Sequence, residues 1–262
     1  DASIWGVELE GLLRPVDDLQ LNFSASYLKS KIKGLSLVDP RDPSGGRSDA
    51  VIIKDLTNAS NCVVLPTVTL PPGTAAGFVG AVNGSIGLQA PVAVPGTTAT
   101  GAFGVCSALA ATAANPPAPL RAAFGVATGP LPFTITTGVP LDLDGNELPQ
   151  SPNWKLAGGA QYTFRFGDGW TLVPRADVAY TGRFYARSFN KPIDRIDGFT
   201  VVNAHVQLNA PGERWNVRAF VQNLTDSDAI TGLYVGDQSS GLYTNAFTLE
   251  PRRYGVSVGF SF

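Results

Sequence analysis

The sequence predicts an all-β fold, in which antiparallel strands form part of a transmembrane β-barrel. Three observations predict it: large apolar residues recur at every second position in several segments, short and long connections alternate between those segments, and charged residues keep to the intervening positions. A period of two places every second side chain on the same face of a strand, so each segment has one apolar face and one polar face. Strands of this kind suit a wall between lipid and water.

The composition of the 262 residues agrees with this class. Apolar residues make up 44% of the chain and charged residues 15%, against about 25% charged in an ordinary soluble domain. Glycine occurs 29 times and proline 20 times, which favours strands and turns over helices. The formal net charge of −2 provides no basic surface for nucleic acid. No apolar run approaches the roughly eighteen residues of a membrane-spanning helix, which leaves a barrel open.

Seven segments carry the period-two pattern. They are residues 5–13, 19–27, 154–166, 170–183, 202–209, 215–222 and 254–262. The second is nearly ideal, because Leu21, Phe23 and Ala25 alternate with polar residues. The seventh places an aromatic residue, Phe262, at its last apolar position. Chain ends fray unless a sheet holds them, so this pattern predicts that the last segment is a sheet strand.

Turn residues separate the segments. Pro15 and Asp17 follow the first, Gly167-Asp-Gly169 forms a tight hairpin because glycine adopts positive φ without strain, and Pro211 with Gly212 follows the fifth. The remaining connections are long, at residues 32–152, 187–197 and 225–246. Short and long connections therefore alternate, which places all short turns at one rim. Outer-membrane barrels show this asymmetry, although soluble up-and-down barrels show it as well.

The two faces differ in their side chains. The charged residues of one face are Glu8, Glu10, Lys155, Arg165, Arg175, Asp177, Arg183 and Arg218. A soluble sandwich would give the same binary pattern, but the aromatic residues of the apolar face lie toward strand ends, where the interfacial belt of a membrane barrel is expected. These are Trp154, Phe166, Trp170, Tyr180, Trp215, Tyr254 and Phe262. Bacterial single-chain barrels have an even number of strands, and the chain starts at Asp1 without any methionine, so we expect further strands upstream.

Five motifs occur in a fixed order along the chain. They are Trp5-Gly-Val-Glu-Leu-Glu10 followed by Arg14-Pro15, Leu148-Pro-Gln-Ser-Pro-Asn-Trp154, Gly167-Asp-Gly-Trp170 with Pro174-Arg-Ala-Asp177, Asn223-Leu-Thr-Asp226, and Pro251-Arg-Arg-Tyr254. Together they resemble the C-terminal barrel of TonB-dependent outer-membrane receptors, over residues 3–31 and 146–262. The resemblance implies that residues 1–262 form the C-terminal part of a barrel of about twenty-two strands with a plugged lumen.

The resemblance also implies a function and its partners. It implies energy-coupled uptake of a scarce large solute, first a ferric siderophore and otherwise cobalamin or an oligosaccharide, with no enzymatic activity and no cofactor. The TonB energy-transducing complex would act through a plug that these residues do not contain. The C-terminus would lie at the periplasmic rim of the bacterial outer membrane, surrounded by lipid. The last strand resembles the signal that the barrel-assembly machinery binds by β-augmentation, through Tyr254, Val256, Val258, Phe260 and Phe262.

Residues 32–152 interrupt the strand pattern. No clear period is visible in them, so we expect a long extracellular loop that folds over the pore, binds ligand, contacts neighbours or forms a poorly ordered surface insertion. The only two cysteines, Cys62 and Cys106, fall in this loop. An even pair in an oxidising compartment predicts a disulfide, and two thiols without a nearby histidine fall short of a metal site.

The polar residues of the strands are the candidates for a functional site. Arg165, Arg175, Asp177, Arg183 and Arg218 are candidates for a solute path, but such residues more often pair with one another or with a plug. The single histidine, His205, alternates with Asn203 and Gln207, so a polar ladder is a better interpretation than a catalytic base.

An adhesion or binding protein that displays residues 32–152 is the second functional hypothesis. A hydrolase on a β scaffold is the third, and no constellation of residues supports it.

Overall fold

The computed structural model describes residues 1–55, 60–85 and 104–261. The chain divides into two compact units. The barrel unit comprises Asp1–Leu35, Leu143–Tyr234 and Thr244–Phe262, and the insertion unit comprises Ser36–Asp142 and Val235–Tyr243. The main segment of the insertion unit thus starts at Ser36 and ends at Asp142, inside the bounds of the loop 32–152 that the sequence predicts.

Strands predominate over helices along the described chain. In chain order the elements are β1 (Ala2–Val16), β2 (Leu19–Ile32), β3 (Ser36–Val38), β4 (Val51–Asp55), β5 (Ser60–Pro66), α1 (Thr74–Ser85), α2 (Val105–Ala114), α3 (Ala118–Ala123), β6 (Phe133–Thr136), β7 (Pro140–Asp142), β8 (Trp154–Tyr162), β9 (Phe164–Phe166), β10 (Trp170–Thr181), β11 (Phe184–Tyr185), β12 (Arg195–Ile196), β13 (Phe199–Asn209), β14 (Trp215–Gln222), β15 (Ile230–Val235), β16 (Thr244–Thr248) and β17 (Arg253–Phe260). Single 3-10 turns occur at Pro192–Asp194 and Pro211–Glu213.

The barrel unit contains one antiparallel sheet with the strand order β1-β2-β8-β10-β13-β14-β17, in which β9 also pairs with β10. Neighbours in the sheet are thus neighbours in the order of the predicted segments, and the predicted fold class is confirmed. The segment 154–166 differs from the prediction, because it forms two strands. Thr163 leaves the ladder between them and donates its backbone N–H to the carbonyl of Asp18 at 2.8 Å.

The short turns have the backbone geometry that their residues favour. In the turn between β9 and β10, Asp168 and Gly169 have φ of 61° and 89°. In the turn between β13 and β14, Gly212 has φ of 65°. Left-handed conformations are open to glycine at no steric cost and are tolerated by aspartate, so both turns follow from the sequence.

The long connections contain elements that the sequence does not reveal. Strands β11 and β12 pair within the connection from β10 to β13, and β15 pairs with β16 within the connection from β14 to β17. These strands are two to six residues long, too short to show a clear period.

The register of the sheet places the apolar positions of all seven predicted segments on one face. One row of paired residues crosses the sheet through Leu13, Leu21, Ala160, Ala176, Ala204, Val221 and Tyr254. The outer strands leave much of this face uncovered: Val7 is 64% exposed and Tyr254 is 82% exposed. A sandwich would bury such residues in its core, whereas lipid covers them in a membrane barrel.

The insertion unit has a conventional hydrophobic core. Strands β4, β5 and β6 form a sheet, β3 pairs with β7, and the helices pack on a buried cluster that includes Phe78, Leu109 and Phe133. The rings of Phe78 and Phe133 stack with centroids 4.6 Å apart. No helix in the described part of the chain is long and apolar enough to span a membrane.

The helices cannot be predicted from the sequence, because charged residues do not mark one face of them. The first, TAAGFVGAVNGS, and the second, VCSALAATAA, contain no charged residue, so no polar face marks the helical period. The two cysteines are joined by a disulfide, as their even number predicts, with Cα atoms of Cys62 and Cys106 separated by 6.1 Å. The bond links β5 to α2 and closes a loop with a sequence separation of 44.

Replacing both Cys62 and Cys106 with serine should destabilise the insertion unit by about 4 kcal/mol, because the open loop gains conformational entropy on unfolding. Hydrogen exchange of peptides from β5 and α2 in the full-length protein measures this change. Peptides from β10 and β13 are the internal control and should exchange as in the parent. Unchanged protection of β5 and α2 would show that the core alone holds the unit together.

Candidate functional site

Aromatic clusters lie at both ends of the apolar face. Next to the long connections, Trp5 contacts Tyr27 with ring centroids 5.4 Å apart, and Tyr27 contacts Trp154 at 4.7 Å. Next to the short turns, Trp170 packs edge to face on Trp215 at 5.2 Å. Tyrosine and tryptophan concentrate where hydrocarbon meets head groups, so the two clusters mark the two interfaces of a membrane.

The polar face contains a hydrogen-bonded cluster that spans three strands. Arg175 on β10 donates from Nε to Asp177 Oδ2 at 2.9 Å and from Nη2 to Asn22 Oδ1 on β2 at 2.8 Å. Strand β8 runs between these two strands. The guanidinium therefore reaches across a whole strand to link groups that are not sheet neighbours, and its charge is matched by the carboxylate.

Gly159 is the residue of β8 that makes this reach possible. It pairs with Asn22 on one side and with Asp177 on the other. A Cβ atom at this position would lie 2.7 Å from Arg175 Nη2 and 2.6 Å from Asn22 Oδ1. Real Cβ atoms do not approach polar atoms so closely, so any side chain at position 159 would displace the cluster.

A second contact on the polar face joins β13 to β14. Arg218 Nη2 lies 3.1 Å from His205 Nδ1. A guanidinium can only donate, so Nδ1 accepts and the imidazole carries its proton on Nε2. His205 is also the sheet partner of Arg175, so it lies between two arginines. The structure places His205 within the polar ladder that the alternation predicts.

The other two predicted arginines lie at opposite rims. Arg165, beside the short turns, contacts Asp18 with Nε to Oδ1 at 2.9 Å. Arg183, beyond the end of β10, lies 3.8 Å from a carboxylate oxygen of Glu147. The candidate residues Arg165, Arg175, Asp177, Arg183 and Arg218 thus fall at three levels of the wall, each with a partner, and do not converge on one site.

One residue of the polar face departs from the binary pattern. Phe220 pairs with His205 on one side and with Gly255 on the other. Its ring lies over Gly255, where a Cβ would come within 2.8 Å of Phe220 Cζ. The pairing of an aromatic residue with glycine gives the polar face an apolar position, and sequence alternation alone does not reveal it.

The Asn223 motif ties the last connection to the start of β17. The buried Asn223 side chain donates from Nδ2 to the carbonyls of Ser227 at 2.8 Å and Glu250 at 2.9 Å. Asp226 Oδ1 accepts the backbone N–H of Arg252 at 2.9 Å. Two of the motifs found in the sequence, 223–226 and 251–254, are therefore one structural feature.

The last strand is the most exposed part of the apolar face. Tyr254, Val256, Val258 and Phe260 are all more than half exposed, and β17 pairs with β14 alone among the described strands. Phe262, the last residue of the predicted assembly signal, lies outside the described residues. Within the described part of the chain, no three His, Cys, Asp or Glu side chains are placed to hold a metal ion.

The two faces together define a class of protein. The sheet has one apolar side bounded by two aromatic clusters and one polar side lined by paired charges, so it is the wall of a membrane-spanning antiparallel β-barrel. The sequence model of a family described as TonB dependent receptor-like, beta-barrel matches residues 5–224. This chain belongs to that family, whose members are receptors of the bacterial outer membrane and not enzymes.

Solved structures similar to the chain include two receptors. The siderophore receptor PiuA from Acinetobacter baumannii is 12% identical with a TM-score of 0.47, over 98% of this chain and 21% of that one. The ferric yersiniabactin uptake receptor FyuA from Yersinia pestis is 13% identical with a TM-score of 0.43, over 100% of this chain and 30% of that one. The chain thus spans less than a third of the length of either receptor.

Replacing Gly159 with alanine should lower the free energy of unfolding by about 2 kcal/mol, because the ends of the Arg175, Asp177 and Asn22 side chains must move away from the new methyl group and a charged hydrogen bond is lost. Urea titration of the full-length protein in lipid vesicles measures the change. Gly158→Ala is the matched control: its Cβ would meet nothing closer than 3.8 Å, so it should change stability by less than about 1 kcal/mol. Equal effects of the two substitutions would refute the role given to the cluster.

Proposed function

We propose that the protein takes up a scarce large solute across the outer membrane, driven by the TonB energy-transducing complex, and that this chain supplies part of the barrel wall. The family match carries the proposal, since it covers residues 5–224. A ferric siderophore is the proposed solute, because the resemblance of the five sequence motifs implies it first. Cobalamin and oligosaccharides are the other solutes that the same resemblance implies.

The pairing of charges on the polar face supports a structural role for that face within the receptor. Arg175 is engaged by Asp177 and Asn22, and Arg165 by Asp18. Groups that are already paired offer little binding energy to a passing solute. We therefore place solute recognition in the long connections or in a plug that fills the lumen, and assign the polar face to lining the wall.

The orientation of the wall and its remaining partners belong to the same proposal. We place the short turns and the C-terminus at the periplasmic rim and the insertion unit outside the cell, because outer-membrane barrels carry their longer connections externally. We also propose that β17 is bound by the barrel-assembly machinery, since an edge strand offers backbone hydrogen bonds to an added strand.

Uptake of iron-loaded siderophores by cells tests the proposed function. Cells that produce the full-length protein should accumulate radioactive iron from at least one hydroxamate, catecholate or carboxylate siderophore, and cells that lack the transducer should not. Cobalamin and labelled oligosaccharides are tested in parallel. Binding of cells to surfaces without transducer-dependent uptake of any solute would favour the adhesion hypothesis instead.

Removing the insertion separates the two hypotheses further. The N–H of Leu143 donates to the carbonyl of Leu35 at 2.9 Å, so residues 36–142 leave and re-enter the barrel unit at hydrogen-bonded positions. A short turn in their place should leave the wall folded. An adhesin would lose its activity completely, whereas a transporter should keep transducer-dependent uptake, with reduced affinity if the insertion contributes to binding.

The assembly role of β17 predicts that Phe260→Gln lowers the yield of folded receptor several-fold, because the apolar row that gives the edge strand its specificity is interrupted. Phe262→Gln should act in the same direction. The measurement is the folded fraction in outer-membrane preparations, read from heat-modifiable migration in gels. Phe247→Gln is the control, since Phe247 on β16 is comparably exposed at 56% but does not belong to the barrel sheet. Equal yields of the Phe260 and Phe247 variants would contradict the role.

A further inference from the structure

The outward face of β2 changes its chemistry where it passes the aromatic cluster. Between the short turn and the cluster, the outward positions carry apolar residues up to Tyr27. The next outward positions along the chain are Lys29 and Lys31, which pair across the sheet with Trp5 and Ser3. Lys33 continues the same alternation just beyond the strand, where its backbone N–H donates to the carbonyl of Asp1 at 2.9 Å.

The backbone holds these lysines outward. The two residues between them, Ser30 and Ile32, are each only 2% exposed, while Lys29, Lys31 and Lys33 are exposed. Because side chains alternate strictly along a strand, burial of Ser30 and Ile32 on one side directs the lysines to the other. The row is therefore a fixed feature of the sheet rather than a set of charges on a loose loop.

The row has few opposing charges. The outward positions beside it on β1 are Trp5, Ser3 and Asp1. On the other side, Asp144 accepts the backbone N–H of Gly34 at 3.0 Å, so the carboxylates near the row lie at its Lys33 end. Among the described residues, Lys29, Lys31 and Lys33 form no ion pair, in contrast to the arginines of the polar face. An exposed row of like charges that lacks partners within the sheet is suited to a partner of opposite charge.

The position of the lysine row along the membrane normal identifies that partner. Tyr27 and Trp5 mark the boundary of the hydrocarbon, and Lys29 lies two residues further along the strand. From Lys29 to Lys33 the strand rises about 13 Å, or about 9 Å along the membrane normal at a tilt of about 45°. The head-group layer is about 6 Å deep, so the row begins at the depth at which lipid phosphates lie and continues past it, from where a long lysine side chain can reach back to the phosphates.

We propose that Lys29, Lys31 and Lys33 form a binding site for the phosphate groups of anionic lipids that surround the barrel. An ammonium group binds phosphate as a compact point charge, and the long apolar stem of lysine can lie along the lipid while its head stays at the interface. The aromatic side chains of Trp5 and Tyr27 would contact the first carbons of the same lipid. The site requires only that the wall spans a membrane, and it does not depend on which solute is taken up.

Native mass spectrometry of the full-length protein in mild detergent, titrated with phosphatidylglycerol, tests the site. Lys29→Gln should weaken the tightest phosphatidylglycerol binding about fivefold, and the triple Lys29→Gln, Lys31→Gln, Lys33→Gln variant more than about tenfold. The matched control is Lys155→Gln, which removes the same charge from the polar face, where Lys155 pairs with Ser26. It should bind phosphatidylglycerol as the parent does.

Further arms make the test specific. Replacing all three lysines with arginine keeps the charge and should keep binding within about twofold. Phosphatidylcholine should bind weakly to every variant, and inorganic phosphate should displace the lipid no better than sodium chloride at equal ionic strength. Heat-modifiable migration checks that each variant is folded. Equal loss in Lys29→Gln and Lys155→Gln, equal retention of both lipids by the parent, or specific displacement by inorganic phosphate would each overturn the proposal.

Discussion

Backbone hydrogen bonding is the constraint on which this architecture depends. A strand in hydrocarbon has no water to satisfy its N–H and C=O groups, so each must pair with a neighbouring strand. In this chain consecutive strands of the barrel sheet pair with one another from β1 to β17, and all pairs are antiparallel. Because consecutive strands run in opposite directions, successive connections lie at alternate rims, and in this chain the short connections share one rim and the long connections share the other.

The same constraint fixes which residues share the apolar face. Once two strands pair, a shift of one residue would exchange their faces, so the register and the binary pattern have to agree over the whole sheet. The observed row from Leu13 to Tyr254 shows that they do across all seven predicted segments. Glycine occurs where a side chain from a neighbouring strand fills the space that a Cβ atom would need. Gly159 leaves room for the Arg175 cluster, and Gly255 leaves room for the ring of Phe220.

The barrel wall was predictable from sequence because its signals are local. The alternation of apolar and polar residues predicts the face of the sheet on which each side chain lies, and Gly167-Asp-Gly169 predicts a hairpin turn. Neither prediction requires knowledge of distant residues. The Arg175 cluster was only partly predictable: Arg175 and Asp177 stand out in the sequence, but their partner Asn22 lies 153 positions before Arg175 and becomes a neighbour only through the strand order. The insertion unit was not predictable, since alanine- and glycine-rich helices leave no amphipathic period and its core forms from contacts between helices and strands.

The two units are therefore stabilised by different physics. The insertion unit buries Phe78, Leu109 and Val82 almost completely and closes with a disulfide, so it gains its stability from its own interior, as a soluble domain does. The barrel sheet exposes many of its large apolar residues and gains its internal stability from strand pairing and aromatic contacts. Substitutions on the apolar face therefore change side chains that the protein itself leaves exposed, whereas a substitution at Gly159 changes the internal packing of the sheet. Backbone pairing also limits the two strands that end the sheet among the described residues, β1 and β17, because each has a sheet partner on one side only. In hydrocarbon their outer backbone groups require partner strands, so the stability of this wall is a property of the closed barrel and not of any one of its strands.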